Sequence, residues 1–219
     1  MIKSLTAQIW GRRDAKKEEN GCLETSLAPE EAQGKEESSS FSSRTMKRAL
    51  LLTGKPGTGK TALIKEAVAR TKVRGGGFYT EEIRTGGIRQ GFRIITLGGQ
   101  EAILAHVNIS SPYQVSKYKV DIDSLHRVGV SALHQALKES NLIVIDEIGK
   151  MELLSPRFRE AVTQAMGSGK KVLGTIMLNP HPFADEIKRR PEVRTLLVTM
   201  DNRNEVMEEV LNWLAEATN

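Results

Sequence analysis

Two short segments of this chain carry the residue types that phosphate chemistry needs. Gly54-Lys55-Pro56-Gly57-Thr58-Gly59-Lys60-Thr61 fits the pattern G-x-x-x-x-G-K-[ST]. Glycines let a loop curl until successive backbone N–H groups point at one anion. A helix starting at the loop's end adds partial positive charge there. Lys60 would reach the β- and γ-phosphates of a nucleoside triphosphate, and the Thr61 hydroxyl would coordinate Mg²⁺. A plain glycine-rich turn is the bland alternative. The strand before the loop and the helix after it argue for the phosphate reading.

The second segment, Leu142-Ile143-Val144-Ile145-Asp146-Glu147, is a continuous apolar run that ends in adjacent carboxylates. A strand covered on both faces would deliver Asp146 to the carboxyl edge of a sheet, where the phosphate loop also opens. Asp146 then suits Mg²⁺, directly or through a water. Glu147 could orient or deprotonate an attacking water. Read alone, Glu147 is equally a solvated acid after a strand; beside Asp146, catalysis is the better reading.

Elements of alternating type must hold these groups. Ala49 to Thr53 reads as a buried strand, and Leu63, Ile64, Ala67 and Val68 recur at helical spacing after the loop. Gly77 to Thr80 predicts a second strand. Ile83 to Leu97, with Gly86-Gly87, predicts a hairpin, and a strand follows over Ala102 to Val107. Ser110 to Lys119 reads as loop. A helical stripe covers Ser124 to Lys138. Ser155-Pro156 marks a helix start running to Gly167. Val172 to Ile176 and Thr195 to Val198 are further strands, and a last helix begins near Asn204. The expected fold is α/β: a mainly parallel central sheet with helices on both faces and a β-hairpin insert.

Composition bounds the rest. The 219 residues are 39% hydrophobic and 27% charged, and no run is long and apolar enough to span a membrane. The single Cys22 excludes an internal disulfide framework and fits a reducing, cytoplasmic compartment. Residues 1–45 are crowded with Lys, Glu, Gln, Gly and Ser and are expected to be a disordered extension, with the domain over 46–219. They match neither a secretory signal nor a transit peptide, and Met46 is an alternative start. The net charge of +5 suits a polyanionic ligand. Without an aromatic-interleaved basic stripe it gives no further indication of nucleic acid. His106, His126, His134 and His181 share no metal-ligand spacing.

Asp146-Glu147-Ile148-Gly149-Lys150-Met151-Glu152-Leu153 resembles the signature of the small nucleoside-triphosphatases, called cancer-related nucleoside-triphosphatase in animals and also present in thermophilic prokaryotes. Gly77 to Glu82, Gly91-Phe92, Leu173-Gly174-Thr175 and Asn202-Arg203 are similar to that family at their places, and the likeness spans about Met46 to Leu214. The resemblance implies a RecA-like phosphate-loop fold and slow hydrolysis of several nucleoside triphosphates with little base preference. It also implies that Gly54–Thr61 and Leu142–Gly149 line the nucleotide. Ala62 stands where the family often has a second Thr.

Further candidates are weaker. Thr175, at the end of a strand expected between those of Leu50 and Val144, could sense the γ-phosphate or simply cap its strand. Arg189, Arg190 and Arg203, with Lys150 behind them, are candidates for a transition-state cation, though each reads more readily as a solvated surface charge. Asn202 and Arg203 could contact base or ribose. Tyr79, Glu81 and Glu82 sit where a kinase would meet its acceptor. Mg²⁺-dependent hydrolysis of nucleoside triphosphates is therefore the leading expectation. A nucleotide or nucleoside kinase, and a nucleotide-dependent switch associated with nucleic acid, are the alternatives.

Overall fold

An apolar run that is covered on both faces must alternate its side chains between two cores, and Ala49–Thr53 (β1) does so. In the computed structural model, which describes residues 47–216, Leu50 and Leu52 join one core while Ala49 and Leu51 join the other. The segment 1–45 and the Met46 boundary lie outside the described residues. Lys60–Arg70 (α1) follows the loop, burying Leu63, Ile64 and Ala67. Gly75–Thr85 (β2) and Ile88–Thr96 (β3) form the hairpin, β2 merging the expected second strand with the hairpin's first arm, and Gly86 and Gly87 have positive φ in its turn. Glu101–His106 (β4) pairs with β3.

The 110–119 segment corrects the expectation of a loop. It carries two short strands, Gln114–Val115 (β5) and Tyr118–Val120 (β6), paired antiparallel to each other, with β6 also on β4. Strands of two and three residues are too short to show alternation. Ile122–Ser124 (α2), a π-helical stretch Leu125–Val130 and Ser131–Glu139 (α3) make up the helical stripe of that region. Leu142–Ile148 (β7) is longer than its apolar run and includes both carboxylates. Pro156–Gly167 (α4) starts where expected, with the Ser155 hydroxyl accepting from the Phe158 N–H. Lys171–Ile176 (β8), Pro182–Arg189 (α5), Val193–Leu197 (β9) and Arg203–Ala215 (α6) complete the chain, α5 being a helix the sequence pattern did not reveal.

Among the described residues the strands form one sheet in the order β5-β6-β4-β3-β2-β7-β8-β1-β9. The five from β2 to β9 run parallel, and β3, β4, β6 and β5 continue from β2 in antiparallel pairing. The sheet is therefore mixed, and the expected hairpin joins its parallel part, through β2, to a four-stranded antiparallel arm that begins with β3. β8 lies between β1 and β7, as expected. One core lies under α1 and α6, with Leu63, Ile64, Val206 and Val210. The other lies under α3, α4 and α5, with Leu133, Phe158, Ala161 and Ile187. No described helix is long and apolar enough to cross a membrane.

Candidate active site

The loop between β1 and α1 owes its curl to three glycines with positive φ: Gly54 at 149°, Gly57 at 84° and Gly59 at 84°. Gly59 caps α1 without a side-chain hydrogen bond, and the first turn of the helix holds no acid. The positive end of the helix is thus left for an external anion. The Thr58 hydroxyl donates to the Lys55 carbonyl at 3.0 Å, bracing the loop from within. Lys60 Nζ donates to the carbonyls of Gly54 at 3.0 Å and Lys55 at 3.1 Å. Its ammonium is folded over the loop, where phosphate oxygens would compete for the same hydrogens. Lys55, Pro56 and Gly57 form the exposed crest.

The carboxylates arrive on β7. Leu142, Ile143, Val144 and Ile145 are wholly buried, so their side chains have no surface to offer a nucleotide; they hold the strand that presents Asp146. Of the expected lining Leu142–Gly149, Ile148 is as buried as these four, and Glu147 alone is half-buried. The β7–β8 register slips by one residue between the Ile145–Gly174 and Ile148–Ile176 pairs. Asp146 and Glu147 occupy that step, and such bulges re-aim side chains. Both carboxyl groups feel the Lys60 charge.

Asp146 is only 1% exposed, and Thr175 Oγ1 donates to its Oδ1 at 2.5 Å. Burial raises the carboxyl above its usual range, opposed by hydrogen bonding from the Thr175 and Thr61 hydroxyls and the Thr80 backbone, and by the Lys60 charge. The buried Oδ2 has no full hydrogen bond of its own. Glu147 is half-buried and its carboxyl is also raised, by burial first and by Asp146 second.

Glu152 is a third acid at this site, and no role was assigned to it from sequence. It lies in the 3₁₀ turn Glu152–Leu154 after β7. A Cβ on Gly149 would meet Glu147 Oε1 and Glu152 Oε2 at 3.0 Å each, so both carboxyl groups crowd that glycine. Burial, with Glu147 next, pushes Glu152 up to about 8. It lies only four residues past the end of β7, and only the fold reveals that it is buried.

Among the described residues no group of three or more His, Cys, Asp and Glu could hold a metal ion. Thr61 and Asp146 do fit Mg²⁺: both are hard oxygen donors, they face each other, and Asp146 Oδ2 is free to turn to a cation. Mg²⁺ characteristically takes one or two protein oxygens and completes its shell with phosphates and water.

A family model described as NTPase matches residues 49–211, which include every residue of this site. The chain belongs to this NTPase family. It is 48% identical over 165 residues to "Nucleoside-triphosphatase THEP1" of Thermotoga maritima, covering 75% of this chain and 94% of the relative. It is 39% identical over 182 residues to "Cancer-related nucleoside-triphosphatase" of Homo sapiens, covering 76% and 96%. The crystal structure of THEP1 from Aquifex aeolicus superposes with a TM-score of 0.71 at 37% identity, covering 77% of this chain and 99% of that one.

The NTPase fold sorts the remaining candidates. Thr175 is fully buried and its hydroxyl is engaged with Asp146, a role in neither of its sequence readings. Arg189 and Arg190 end α5 just before Val193, which pairs with Ala49 at the start of β1. They lie at the amino edge, a strand's length from the loop, and Arg190 is paired with Glu192 at 2.6 Å. The fold does not bring either of them to the loop between β1 and α1. Lys150 is exposed beyond β7. Asn202 does not offer its amide to a ligand: Nδ2 donates to Leu197 O at 2.9 Å and Oδ1 accepts from the Thr199 N–H at 2.8 Å. Glu81 is held by Lys65 and Arg93, and Glu82 by Arg84 and Arg89. The hairpin's arginines and acids thus satisfy one another. Tyr79 stands near Asp146 with its hydroxyl raised, mainly by burial, and Lys65 lies over its ring. Arg203 alone of the arginine candidates reaches the loop.

Proposed function

We propose that the protein hydrolyses nucleoside 5′-triphosphates, ATP and GTP among them, to the diphosphate and inorganic phosphate in a Mg²⁺-dependent reaction. The carrying observation is the convergence of Lys60, Thr61, Asp146 and Glu147 at one edge of the sheet. β8 between β1 and β7 supports a RecA-like phosphate-loop fold. The names of the relatives, nucleoside-triphosphatases of bacteria and humans, support the reaction class.

In this reading the loop's N–H groups and the α1 N-terminus bind the phosphates, and Lys60 exchanges its two loop carbonyls for β- and γ-phosphate oxygens. Thr61 and Asp146 would hold Mg²⁺, which, when bound, neutralises charge on the phosphates. Glu147 takes a proton from the attacking water at its Oε atoms, and its raised carboxyl makes it a stronger base than a solvated acid. Glu152, buried beside Glu147, keeps its own proton up to about 8 and adds no negative charge there at neutral pH. A low base preference is supported by Asn202, whose amide is committed to its own turn. The mutual pairing of Glu81, Glu82, Arg84, Arg89 and Arg93 speaks against an acceptor site with an arginine lid.

The test is phosphate release from ATP, GTP, CTP and UTP by the full chain, with and without Mg²⁺, beside Lys60→Ala. Mg²⁺-dependent release from all of them, lost in Lys60→Ala, is expected. Release no greater than that of Lys60→Ala would sink the proposal.

A further inference from the structure

Arg203 opens α6 at a place that simple electrostatics disfavours. A cation at a helix N-terminus meets the positive end of the dipole. Here the guanidinium also lies against Gly59, which caps the N-terminus of α1. A Cβ on Gly59 would come within 2.9 Å of Arg203 Cζ and 3.1 Å of its Nε and Nη2. The Nε is buried and has no hydrogen-bond partner. Glu66 and Glu208 line the same cleft, of about 190 Å³, yet neither forms an ion pair with Arg203, and Glu66 is taken by Arg70.

The guanidinium is held there from both sides. Asn202 braces the turn after β9 through Leu197 and Thr199. Gly54 lets that turn dock on the phosphate loop, since a Cβ at Gly54 would strike Val198 O at 2.4 Å. Two of the loop's three positive-φ glycines therefore face the 198–203 turn, and only Gly57 faces open space.

Strand order fixes which end of a ligand Arg203 can meet. In the run β7-β8-β1-β9 the phosphate loop follows β1, the carboxylates end β7 on one side, and Arg203 follows β9 on the other. Asp146, Lys60 and Glu152 interact with Glu147 on the β7 side of the loop. Arg203 stands across the loop from the bond that would break.

We propose that Arg203 binds the phosphate nearest the nucleoside, the α-phosphate, and sets nucleotide affinity without acting on the transferred phosphoryl group. This rests on reading Gly54–Thr61 as the nucleotide site. An α-phosphate is common to every nucleotide, so this contact adds affinity with no base selectivity. It supplies the unpaired guanidinium with the charged partner it lacks.

ADP binding by calorimetry and steady-state ATP turnover, on Arg203→Ala, Arg203→Lys and Lys60→Ala, test the assignment. Arg203→Ala should weaken ADP binding roughly 10- to 100-fold, as loss of a charge-assisted hydrogen bond would. It should raise KM while kcat stays within about threefold, and Arg203→Lys should recover part of the loss. Arg203→Gln keeps the side chain's packing over Gly59 and gives the same readout if the alanine variant does not fold. Unchanged ADP affinity overturns the proposal, as does a fall in kcat at unchanged ADP affinity. If Lys60→Ala binds ADP as the unaltered protein does, the nucleotide site itself is misread. If Lys60→Ala loses ADP and Arg203→Ala keeps it, only the role of Arg203 fails.

Discussion

The Thr175 hydroxyl donates to Asp146 Oδ1 at 2.5 Å, joining the ends of two adjacent parallel strands, β8 and β7, by one buried contact. The bond leaves Oδ2 as the oxygen available to a ligand.

Thr175→Val keeps the volume and removes the donor. A buried carboxylate then loses a hydrogen bond, which should cost about 1–3 kcal/mol of stability. The Mg²⁺ concentration for half-maximal turnover should rise as well. Denaturant midpoints and a Mg²⁺ titration check both; an unchanged midpoint with unchanged Mg²⁺ dependence would remove the positioning role.

Lys60→Ala should separate folding from function. Its hydrogen bonds go to loop carbonyls at a half-buried site, so stability should change by no more than about 1 kcal/mol. Turnover should fall at least ~100-fold, since the charge facing the β- and γ-phosphates is gone. Thermal melting beside phosphate release measures the two effects.

Activity should decline on the acid side at a pH above the ordinary carboxylate value of 4.5. Glu147 must be ionised to accept a proton, and burial together with Asp146 holds its carboxyl above that value. A kcat–pH profile at saturating nucleotide and Mg²⁺ measures the limb. An acid limb at or below 4.5 would contradict the environment assigned to Glu147.

Glu152 should make stability depend on pH in the opposite sense to most acids. Folded, it keeps its proton up to about 8; unfolded, it releases it near 4.5. The folded state binds more protons in that window, so this group's contribution is complete below 4.5 and is lost as pH rises through about 8. Glu152→Gln should flatten the decline, gaining on the unaltered protein as pH rises. Parallel melting curves across the range would refute it.

Much of this fold was legible because its elements obey strong periodicities. The Leu50–Leu52 and Leu142–Ile145 runs, the Ser155-Pro156 helix start and the Gly86-Gly87 turn each carry a local signal that packing did not override. The antiparallel arm was cut short because β5 and β6 are too brief to show a pattern. α5 begins at Pro182, right after Asn179-Pro180-His181, and its eight residues carry too short a stripe to stand out. At the site, the loop and the acid pair were readable because their chemistry is local in sequence. The burial of Glu152, the engagement of Thr175 and the displacement of Arg189 and Arg190 to the far edge follow from strand order. No spacing along the chain encodes them.

The most direct measurement is Mg²⁺-dependent phosphate release by Glu147→Gln, set beside its affinity for ATP. The substitution preserves the shape of the side chain and removes only its capacity to take a proton. ATP affinity close to that of the unaltered protein, with turnover reduced ~100-fold or more, is the expected result. Turnover equal to that of the unaltered protein would contradict hydrolysis through Glu147.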